Sequence, residues 1–395
     1  MLSGYRNAAL HGVQENEEAA MVNNTKVVDC HVHVSAQTDI NYLAGFLAGT
    51  GTDMANIVAC SHSRCISLVP QAMMMKAVYP GRFYVFAAPD LSAYYLHAGD
   101  LGEHMALYGQ RLMELGCDGI KMLEGKPQMR RKFPIPDFDL PVWEPFWAWA
   151  EENGVPFVWH VNDPESFWDA SKAPSFAISQ GWLYDDSYIN NETQYRQVLT
   201  VLERHPKLKI IFAHFFFMSA QLRRLSAILD RFDNVMVDLT PGIEMYENLS
   251  RDRTQTLEFF ARYGKRICYG TDIGGRCVLM GEHKRFDPLE NTRRPQVVRE
   301  FLAGKDEREM RSDGHYLVNN PAFIMRPLSL DGEALADILG GNFMRQAGSM
   351  PRPVNAKALL EECSRLRKAM EEMRRKVPGF APDFSVIEKS EMFFA

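Results

Sequence analysis

The stretch Lys26-Val-Val-Asp-Cys-His-Val-His-Val-Ser35 predicts a β-strand, because it is rich in β-branched valine and has a polar residue at each end. Side chains alternate between the two faces of a strand, so His31 and His33 point to the same side, roughly 6 to 7 Å apart along the backbone. Two neutral imidazoles on one face can bind one ion of Zn, Fe, Ni or Cu. The pair alone is weak evidence, since about 0.3 His-x-His pairs are expected by chance in a chain of this composition.

Composition narrows the class of protein. The chain has 395 residues, 46% of them hydrophobic, which is enough for a large core in one or two domains. A net charge of −6 provides no basic surface, so we expect neither nucleic acid nor a membrane as a partner. Seven cysteines without a Cys-x-x-Cys pair fit a reducing compartment. The chain shows neither a signal-peptide core nor a charge-free stretch of membrane-spanning length, and we therefore expect a cytoplasmic protein.

Strand and helix patterns alternate along most of the chain. Strands are predicted at 26–35, 54–60, 82–88, 118–123, 155–160, 208–213, 234–238 and 266–270. Helices are predicted between them at 40–49, 69–79, 103–115, 143–153, 192–204, 220–231 and 254–263, with Asn190 or Asn191 as a cap of the fifth. Eight such units over roughly 250 residues predict an α/β fold, a (β/α)8 TIM barrel. An open doubly wound sheet is the alternative.

The remaining residues complete a domain plan. Residues 1–21 are polar and are assigned to an N-terminal arm, residues 22–348 to the barrel, and residues 349–395 to a C-terminal helical extension of the same domain. Residues 354–376 predict a long charged helix with one apolar side. We expect this helix to pack on the outside of the barrel, and a contact between subunits is the alternative.

Metal-ligand types of side chain stand at the ends of several predicted strands. His31 and His33 lie in the first strand, His160 closes the fifth, His214 follows the sixth and Asp272 follows the eighth. The carboxyl ends of barrel strands surround the active site, so these side chains are expected to meet at one mouth. Taken singly, a strand-end histidine is more often a packing residue, and Asp272 can cap a turn. Their joint occurrence favours a site.

The motifs DCHVHV, GIKM, FVWH, IIFAH, NVMVDL and YGTD, in this order over about residues 26–275, resemble those of the amidohydrolase superfamily. The resemblance is to its amidohydrolase-2 branch, which includes aminocarboxymuconate-semialdehyde-type and resorcylate-type decarboxylases and also lactone hydrolases. These motifs are fairly specific for the family and poorly specific for the substrate. The last motif departs from the branch, in which Thr-Asp-x-Pro is frequent, because here it is Thr271-Asp-Ile-Gly274.

The resemblance implies one divalent metal, usually Zn, bound by His31, His33, His160 and Asp272, with His214 as a catalytic residue beside it. Mn, Fe or a second metal are the alternatives. Three histidines and a carboxylate leave a coordination position for water, whose pKa Zn²⁺ lowers to about 7. Asp272 can accept a proton from that water, and His214 can polarise a carbonyl or transfer a proton.

Further residues are candidates for binding a substrate. Lys121 lies in the fourth strand, where binuclear members of the superfamily carry a carboxylated lysine between two metals. We favour one metal and an unmodified lysine that binds a substrate carboxylate or pairs with a nearby acid. Arg130 and Arg131, with Lys126, follow this strand and can bind an anionic substrate. A solvated loop is the plainer explanation for them. His62, at the end of the second strand, can line the pocket.

These observations favour a metal-dependent hydrolase that acts on a C–O or C–N bond of a small carboxylated molecule. A non-oxidative decarboxylase of an aromatic or unsaturated acid is the alternative, and a barrel that has lost catalysis and serves as a binding module is a third hypothesis. The aromatic loop 161–189 is expected to form a lid or a subunit contact. The family resemblance suggests a homodimer or a higher homo-oligomer.

Overall fold

The chain folds around a sheet of parallel strands. The computed structural model describes residues 26–242, 244–275, 287–311 and 322–395, and the predicted arm 1–21 lies outside these ranges. The strands of the sheet are β1 Val28–His33, β2 Met54–Ala59, β3 Phe83–Ala87, β4 Gly119–Gly125, β5 Pro156–Val161, β6 Lys209–Phe212, β7 Val235–Asp238, β8 Ile267–Cys268 and β9 Ile273–Gly274. In the described ranges they pair in the order β8-β7-β6-β5-β4-β3-β2-β1-β9.

The two edge strands, β8 and β9, are parts of one interrupted strand. β8 pairs with β7, and β9 pairs with β1. Between them, Cys30 N donates to Tyr269 O and Asp272 N donates to His31 O, each at 2.9 Å. These bonds close the sheet into the predicted barrel. The predicted strand 266–270 is present in shorter form as β8, Ile267–Cys268, and beyond it the backbone turns, because Asp272 adopts a left-handed φ of 58°.

Helices surround the barrel, as the alternating patterns predict. They are α1 Ile40–Gly49, α2 Val69–Val78, α3 Ala93–Leu96, α4 Leu101–Leu115, α5 Pro127–Lys132, α6 Glu144–Glu152, α7 Ser175–Ser179, α8 Asn191–Arg204, α9 Leu222–Arg231, α10 Met245–Arg251, α11 Arg253–Tyr263, α12 Pro288–Ala303, α13 Gly332–Ala336, α14 Asn342–Ala347, α15 Ala356–Lys376 and α16 Ser385–Phe394. A π-helical turn, Asp337–Gly341, joins α13 to α14. The predicted cap is confirmed at Asn190, whose side chain accepts from Glu192 N at 2.8 Å. No helix in the described part of the chain has the length and apolar character needed to cross a membrane.

A cluster of apolar side chains fills the barrel interior. It draws on seven strands and includes Val28, Cys30, Val158 and Cys268, all fully buried. Phe343 of α14 belongs to the same cluster and packs edge-on against Tyr84 of β3, with ring centroids 5.1 Å apart. A larger cluster joins the outer faces of the strands to the helices. Apolar packing therefore occupies the barrel body, and polar side chains gather at the carboxyl ends of the strands.

The C-terminal extension packs on the barrel, as expected for α15. Arg365 of α15 donates to Asp90 beyond β3 at 2.8 Å, and Leu366 is buried in the outer cluster. The predicted extension contains a second helix, α16, which was not predicted individually and which places Val386 against Cys65 in a small apolar cluster. This second helix covers loops that follow β1 and β2, because these loops contribute the other members of that cluster.

Candidate metal centre

Three of the predicted ligands meet at the mouth of the barrel. The ligand atoms of His31, His33 and Asp272 lie within 4.8 Å of one another. Nε2 of His33 is 2.9 Å from Oδ1 of Asp272, and the rings of the two histidines are 5.2 Å apart. Within the described ranges, this is the one group of three or more His, Cys, Asp or Glu residues with such spacing. Two imidazoles and a carboxylate are ligand types that Zn²⁺ and related ions bind.

An irregularity in β1 turns both histidines toward the mouth. Val28 and Cys30 face the interior, so strict alternation would send His31 and His33 outward. The pairing of β1 with β2 shifts register within residues 29–32. Such a bulge changes which side chains face a given side of the sheet. The two histidines share a face as predicted, but the bulge decides that this face is the inner one.

Asp238, at the end of β7, forms a hydrogen bond with the ring of His31. Its Oδ2 is 2.9 Å from Nδ1 of His31, and its Oδ1 accepts from the backbone N–H groups of His214 at 2.8 Å and Thr240 at 3.0 Å. Since an ionised carboxylate only accepts, this contact assigns the proton of His31 to Nδ1 and the lone pair to Nε2. That Nε2 lies 3.1 Å from Nζ of Lys121.

A left-handed turn follows β6. Residues 214–217 all have φ between 52° and 57°. Each left-handed L-residue costs roughly 1–2 kcal/mol, and such backbone persists where the surroundings impose it, often at functional sites. Here Tyr195 Oη donates to Phe216 O at 3.0 Å, and the Phe216 ring stacks on Phe212 at 3.8 Å. Packing beneath the turn therefore fixes the direction of the side chains above it.

His160 and His214 form the opposite side of the site. Their ring centroids are 4.9 Å apart, and His214 lies 5.6 Å from His31. Phe217 packs against both, 5.3 Å from His160 and 5.1 Å from His214. Nε2 of His160 is buried 3.4 Å from Oδ1 of Asp163 and has no shorter polar contact among the described residues. His160 lies outside the three-residue group, and its role as fourth ligand stays a prediction.

Asp163 joins two loops at this side of the mouth. Nζ of Lys126 is 2.8 Å from both of its oxygens, and Tyr184 Oη donates to Oδ2 at 2.5 Å. Burial opposes the charge of Asp163, but Lys126 and His160 together outweigh burial and hold the pKa of Asp163 below its ordinary value. Lys126, one of the candidates for binding an anionic substrate, thus links the loop after β4 to the loop after β5.

Asp272 is held by buried polar partners. Arg294 of α12 donates from Nη1 to Oδ2 of Asp272 at 3.1 Å and to Thr271 O at 3.2 Å, and from Nε to Glu290 at 3.0 Å. Between β8 and β9, Thr271 N donates to Oδ1 of Asp29 at 3.1 Å. Burial lowers the pKa of Arg294 to about 10 while Asp272 opposes that change, so the guanidinium remains charged at neutral pH.

Burial sets the protonation of most groups at the site. It lowers the pKa of His31, His160 and His214. The charge of Lys121 adds to this effect at His31, and His160 adds to it at His214. Burial also lowers the pKa of Lys121 itself. These histidines are therefore neutral at pH 7, which is the form that binds metals.

His33 differs from the other histidines. Burial opposes its charge, but Cys60 and Asp272 outweigh burial and raise the pKa of His33 to about 9. The Cys60 sulfur lies 3.6 Å from Nδ1, and Asp272 lies 2.9 Å from Nε2. A cation at this site competes with the proton on Nε2, so its affinity is expected to fall as the pH falls.

Arg130 and Arg131 contact neighbouring loops. Arg130 pairs with Asp137, and Arg131 donates to Ser187 O at 3.1 Å and lies over the ring of Tyr188. None of the contacts described for these two arginines reaches the three-residue group. Their role in binding substrate stays a prediction.

His62 is buried in a short β-hairpin, residues 61–67, that follows β2. Its Nδ1 accepts from the backbone N–H groups of Arg64 at 3.1 Å and Cys65 at 3.2 Å. This side chain therefore shapes its own turn, and a contact with substrate stays a prediction for it as well.

The structure adds partners that the sequence analysis did not single out. They are Asp29, Asp163, Asp238 and Arg294, each at most 3% exposed. A signal existed for the three acids: Asp29 and Asp238 stand inside quoted strand motifs, and Asp163 comes three residues after His160. Buried carboxylates at strand ends need partners, which makes them candidates. No comparable signal marks Arg294, which reaches the site from a helix.

Sequence comparison gives a family. Residues 28–342, most of the chain, match the family model Amidohydro_2, whose description is amidohydrolase. No curated protein matches this sequence.

Solved structures of similar shape share little sequence. An uncharacterised TIM-barrel protein from Bordetella bronchiseptica is 13% identical with a TM-score of 0.49, and 5-carboxyvanillate decarboxylase from Sphingomonas paucimobilis is 11% identical with a TM-score of 0.48. A probable 2-pyrone-4,6-dicarboxylic acid hydrolase from Acinetobacter baumannii is 11% identical with a TM-score of 0.44. Each match covers 82% of this chain and 99% of the other. The barrel assignment rests on the strand pairing of this chain and not on these scores.

Proposed function

The chain belongs to the amidohydrolase family, and from this premise we propose that it hydrolyses a C–O or C–N bond of a small carboxylated molecule with one divalent metal ion, zinc by preference. The observation that carries the proposal is the meeting of His31, His33 and Asp272 within 4.8 Å at the carboxyl ends of the barrel strands. Family membership is compatible with both hydrolysis and decarboxylation. What distinguishes the two reactions is therefore what the side chains at the site can do.

The side chains present fit a divalent cation. His31 offers Nε2 because Asp238 occupies its Nδ1, and His33 offers Nε2 beside Oδ1 of Asp272. His160 adds a buried Nε2 without a close polar contact in the described ranges, which is a group that an ion would satisfy. A bound ion of this kind supplies a Lewis acid that polarises a carbonyl and lowers the pKa of water.

His214 is assigned the proton transfer. Its Nδ1 lies 3.3 Å from Thr240 O, and a carbonyl oxygen only accepts, so the proton stands on Nδ1 and Nε2 is left as an acceptor. Burial lowers the pKa of His214 and keeps the ring neutral. A neutral ring beside His31 and His160 can take a proton from the attacking water and return it to the leaving group.

Lys121 supports an anionic substrate. Its side chain is fully buried, and its Nζ lies 3.1 Å from Nε2 of His31. We assign it, unmodified, as the partner of a substrate carboxylate, since a buried cation needs an anion.

Decarboxylation is the second candidate, and the contact of Arg294 with Asp272 favours it. Oδ2 of Asp272 is held by the guanidinium, so this carboxylate has one oxygen engaged away from the histidines. Hydrolysis uses a base for water, whereas loss of CO₂ requires a proton delivered to carbon. A carboxylate held in this way is less suited to activating water, so hydrolysis depends on His214 as the base for water, whereas decarboxylation needs no such base.

An isotope experiment separates the two reactions. The zinc-loaded protein is incubated with a panel of lactones and of aromatic and unsaturated acids labelled with ¹³C in the carboxyl group, once in H₂¹⁸O and once in D₂O. Hydrolysis places ¹⁸O in the product carboxylate. Decarboxylation releases labelled CO₂ and places deuterium on carbon. Products are identified by mass spectrometry and NMR.

Matched variants connect any turnover to the site. His33→Ala is expected to abolish the reaction, whereas His97→Ala, whose ring stacks on His104 at 3.7 Å outside the site, is expected to leave it unchanged. Turnover that survives His33→Ala would contradict the proposed site. A fully loaded protein that converts no member of the panel would contradict catalysis and favour a binding module.

A further inference from the structure

The guanidinium of Arg294 is buried beside Asp272 of the candidate metal centre. The side chain of Arg294 is 1% exposed. Removing a charge from water costs several kcal/mol unless charged and hydrogen-bonded partners replace the water. Arg294 has such partners in Asp272, Thr271 and Glu290. The position of this arginine is therefore tied to the conformation of the segment that carries Asp272.

Helix α12 contacts the segment 271–274 at two points. Asn291 accepts from Gly274 N through Oδ1 at 2.7 Å, and Arg294 reaches Thr271 and Asp272. Residues three apart lie on the same face of a helix, so one face of α12 contacts both ends of the 271–274 segment. The two contacts hold a backbone whose φ at Asp272 is 58°, a conformation that is unfavourable for an L-residue without support.

The contact also distinguishes the two oxygens of Asp272. Oδ2 receives Nη1 of Arg294 at 3.1 Å, and Oδ1 lies 2.9 Å from Nε2 of His33. A guanidinium bonded to one oxygen fixes the rotation of the whole carboxylate, because the group is planar. Oδ1 is thereby directed toward the histidine pair.

We propose that Arg294 is a positioning residue that makes Asp272 a ligand through one oxygen, Oδ1, by holding Oδ2 away from the ion. The inference rests on the proposed metal site and adds to it a partner from a helix outside the barrel strands. Arg294 acts through Asp272 and does not touch the ion or the substrate. A purely structural arginine would change stability alone, whereas a positioning arginine changes the geometry and affinity of the bound ion.

Cobalt provides the readout, because its visible absorption reports the ligands around the ion. Wild-type protein, Arg294→Ala, Arg294→Lys and the control Arg299→Ala are loaded with Co²⁺, and affinity is measured by competition with a chelator. Arg299 lies on the same helix but donates to Gly51 O at 3.0 Å, away from the site. Urea unfolding of the metal-free proteins measures folding separately. Guanidinium chloride at low millimolar concentration is added to Arg294→Ala to replace the missing group, with sodium chloride as its control.

We expect Arg294→Ala to bind Co²⁺ about 10–100-fold more weakly than wild type, which is the usual effect of removing a partner of a metal ligand. The visible spectrum is expected to change, and guanidinium is expected to restore both properties in part. Arg294→Lys, which keeps the charge with a different geometry, is expected to lie between, and Arg299→Ala to match wild type. If Arg294→Ala fails to fold, Arg294→Lys decides.

Wild-type affinity and an unchanged spectrum in both Arg294 variants would overturn this inference and leave the proposed function standing. Failure of the wild-type protein itself to bind Co²⁺ would overturn the proposed metal site and this inference with it.

Discussion

The two sides of the candidate metal centre satisfy their polar atoms differently. On the first side, formed by His31, His33 and Asp272, each ring nitrogen and each carboxylate oxygen has a polar partner within 3.6 Å. On the second side, formed by His160 and His214, Nε2 of His160 makes no hydrogen bond in the described part of the chain, although Oδ1 of Asp163 lies 3.4 Å away. The backbone differs too, because the second side stands on the left-handed turn 214–217.

This contrast in hydrogen bonding implies that the first side is rigid before any ligand binds. A fully satisfied buried network is rigid, because every displacement breaks a hydrogen bond in surroundings where no water replaces it. An unsatisfied nitrogen beside a strained turn gains a partner when a ligand arrives. We therefore expect the first side to hold the metal and the second side to respond to what binds there.

Removal of one histidine from each side tests this expectation most strongly. His33→Ala is expected to abolish zinc binding, because it removes a ligand from the three-residue group. His160→Ala is expected to retain zinc with about 10–100-fold lower affinity. The measurement is zinc per chain after dialysis against a series of buffered zinc concentrations. Equal losses in both variants would show that the two sides hold the ion equally.

Replacing the carboxylate that supports each side is expected to have the next largest effect. Asp238→Ala leaves His31 and two backbone N–H groups without their acceptor, and Asp163→Ala leaves Lys126 unpaired. Each is expected to destabilise the protein by about 3–5 kcal/mol, since a buried partner is left alone. Zinc affinity is expected to fall further in Asp238→Ala. Urea unfolding and chelator competition measure the two effects, and a larger loss of affinity in Asp163→Ala would reverse the comparison.

Glu124, a buried carboxyl in the same strand as Lys121, makes stability depend on pH. Burial raises its pKa to about 7 from 4.5, although Leu123 N donates to it at 2.8 Å. Because the folded pKa lies above the unfolded one, the folded state holds more protons between about pH 4 and 7, and stability falls as the pH rises through this window. The loss amounts to at most about 3 kcal/mol.

Glu124→Gln cannot lose this proton, so its stability relative to wild type is expected to improve between pH 5 and pH 8. Urea unfolding of both metal-free proteins at the two pH values measures the difference. A constant difference between them would show that Glu124 is already ionised at pH 5.

The left-handed turn provides the smallest effect. Phe217→Gly removes a half-buried ring but also relieves a φ of 52°, so the free energy of unfolding is expected to change by less than about 1 kcal/mol. Phe216→Gly is the matched control, because this fully buried ring stacks on Phe212 and its loss is expected to cost on the order of 3 kcal/mol. Urea unfolding measures both. A cost of Phe217→Gly as large as that of Phe216→Gly would show that the ring of Phe217 contributes more to stability than the relief of its left-handed φ.

The barrel could be predicted because strand and helix patterns have a local period. The predicted strand 54–60 is β2, Met54–Ala59, and the predicted helix 40–49 is α1, Ile40–Gly49. The interruption between β8 and β9 could not be predicted in this way. It depends on hydrogen bonds from β1 and on the side chains of α12, which are distant in sequence.

The site was predicted in its ligand types and only partly in its geometry. His31, His33 and Asp272 come together as expected, because barrel closure brings the first and eighth strands side by side. His160 and His214 lie beside each other, but their positions depend on packing under the turn after β6. Lys126 could not be assigned to a partner from the sequence, and it pairs with Asp163, which follows the next strand.

Neighbouring residues are enough to predict the alternation of strands and helices, the two histidines on one face of β1 and the placing of further ligand types at strand ends. Contacts between distant residues are what turn the shared face of His31 and His33 inward, set the tautomer of His31 through Asp238 and hold Asp272 through Arg294. The physical reason is that a buried charge or a bulge is stable only with partners supplied by other strands and helices, and no local pattern encodes those partners.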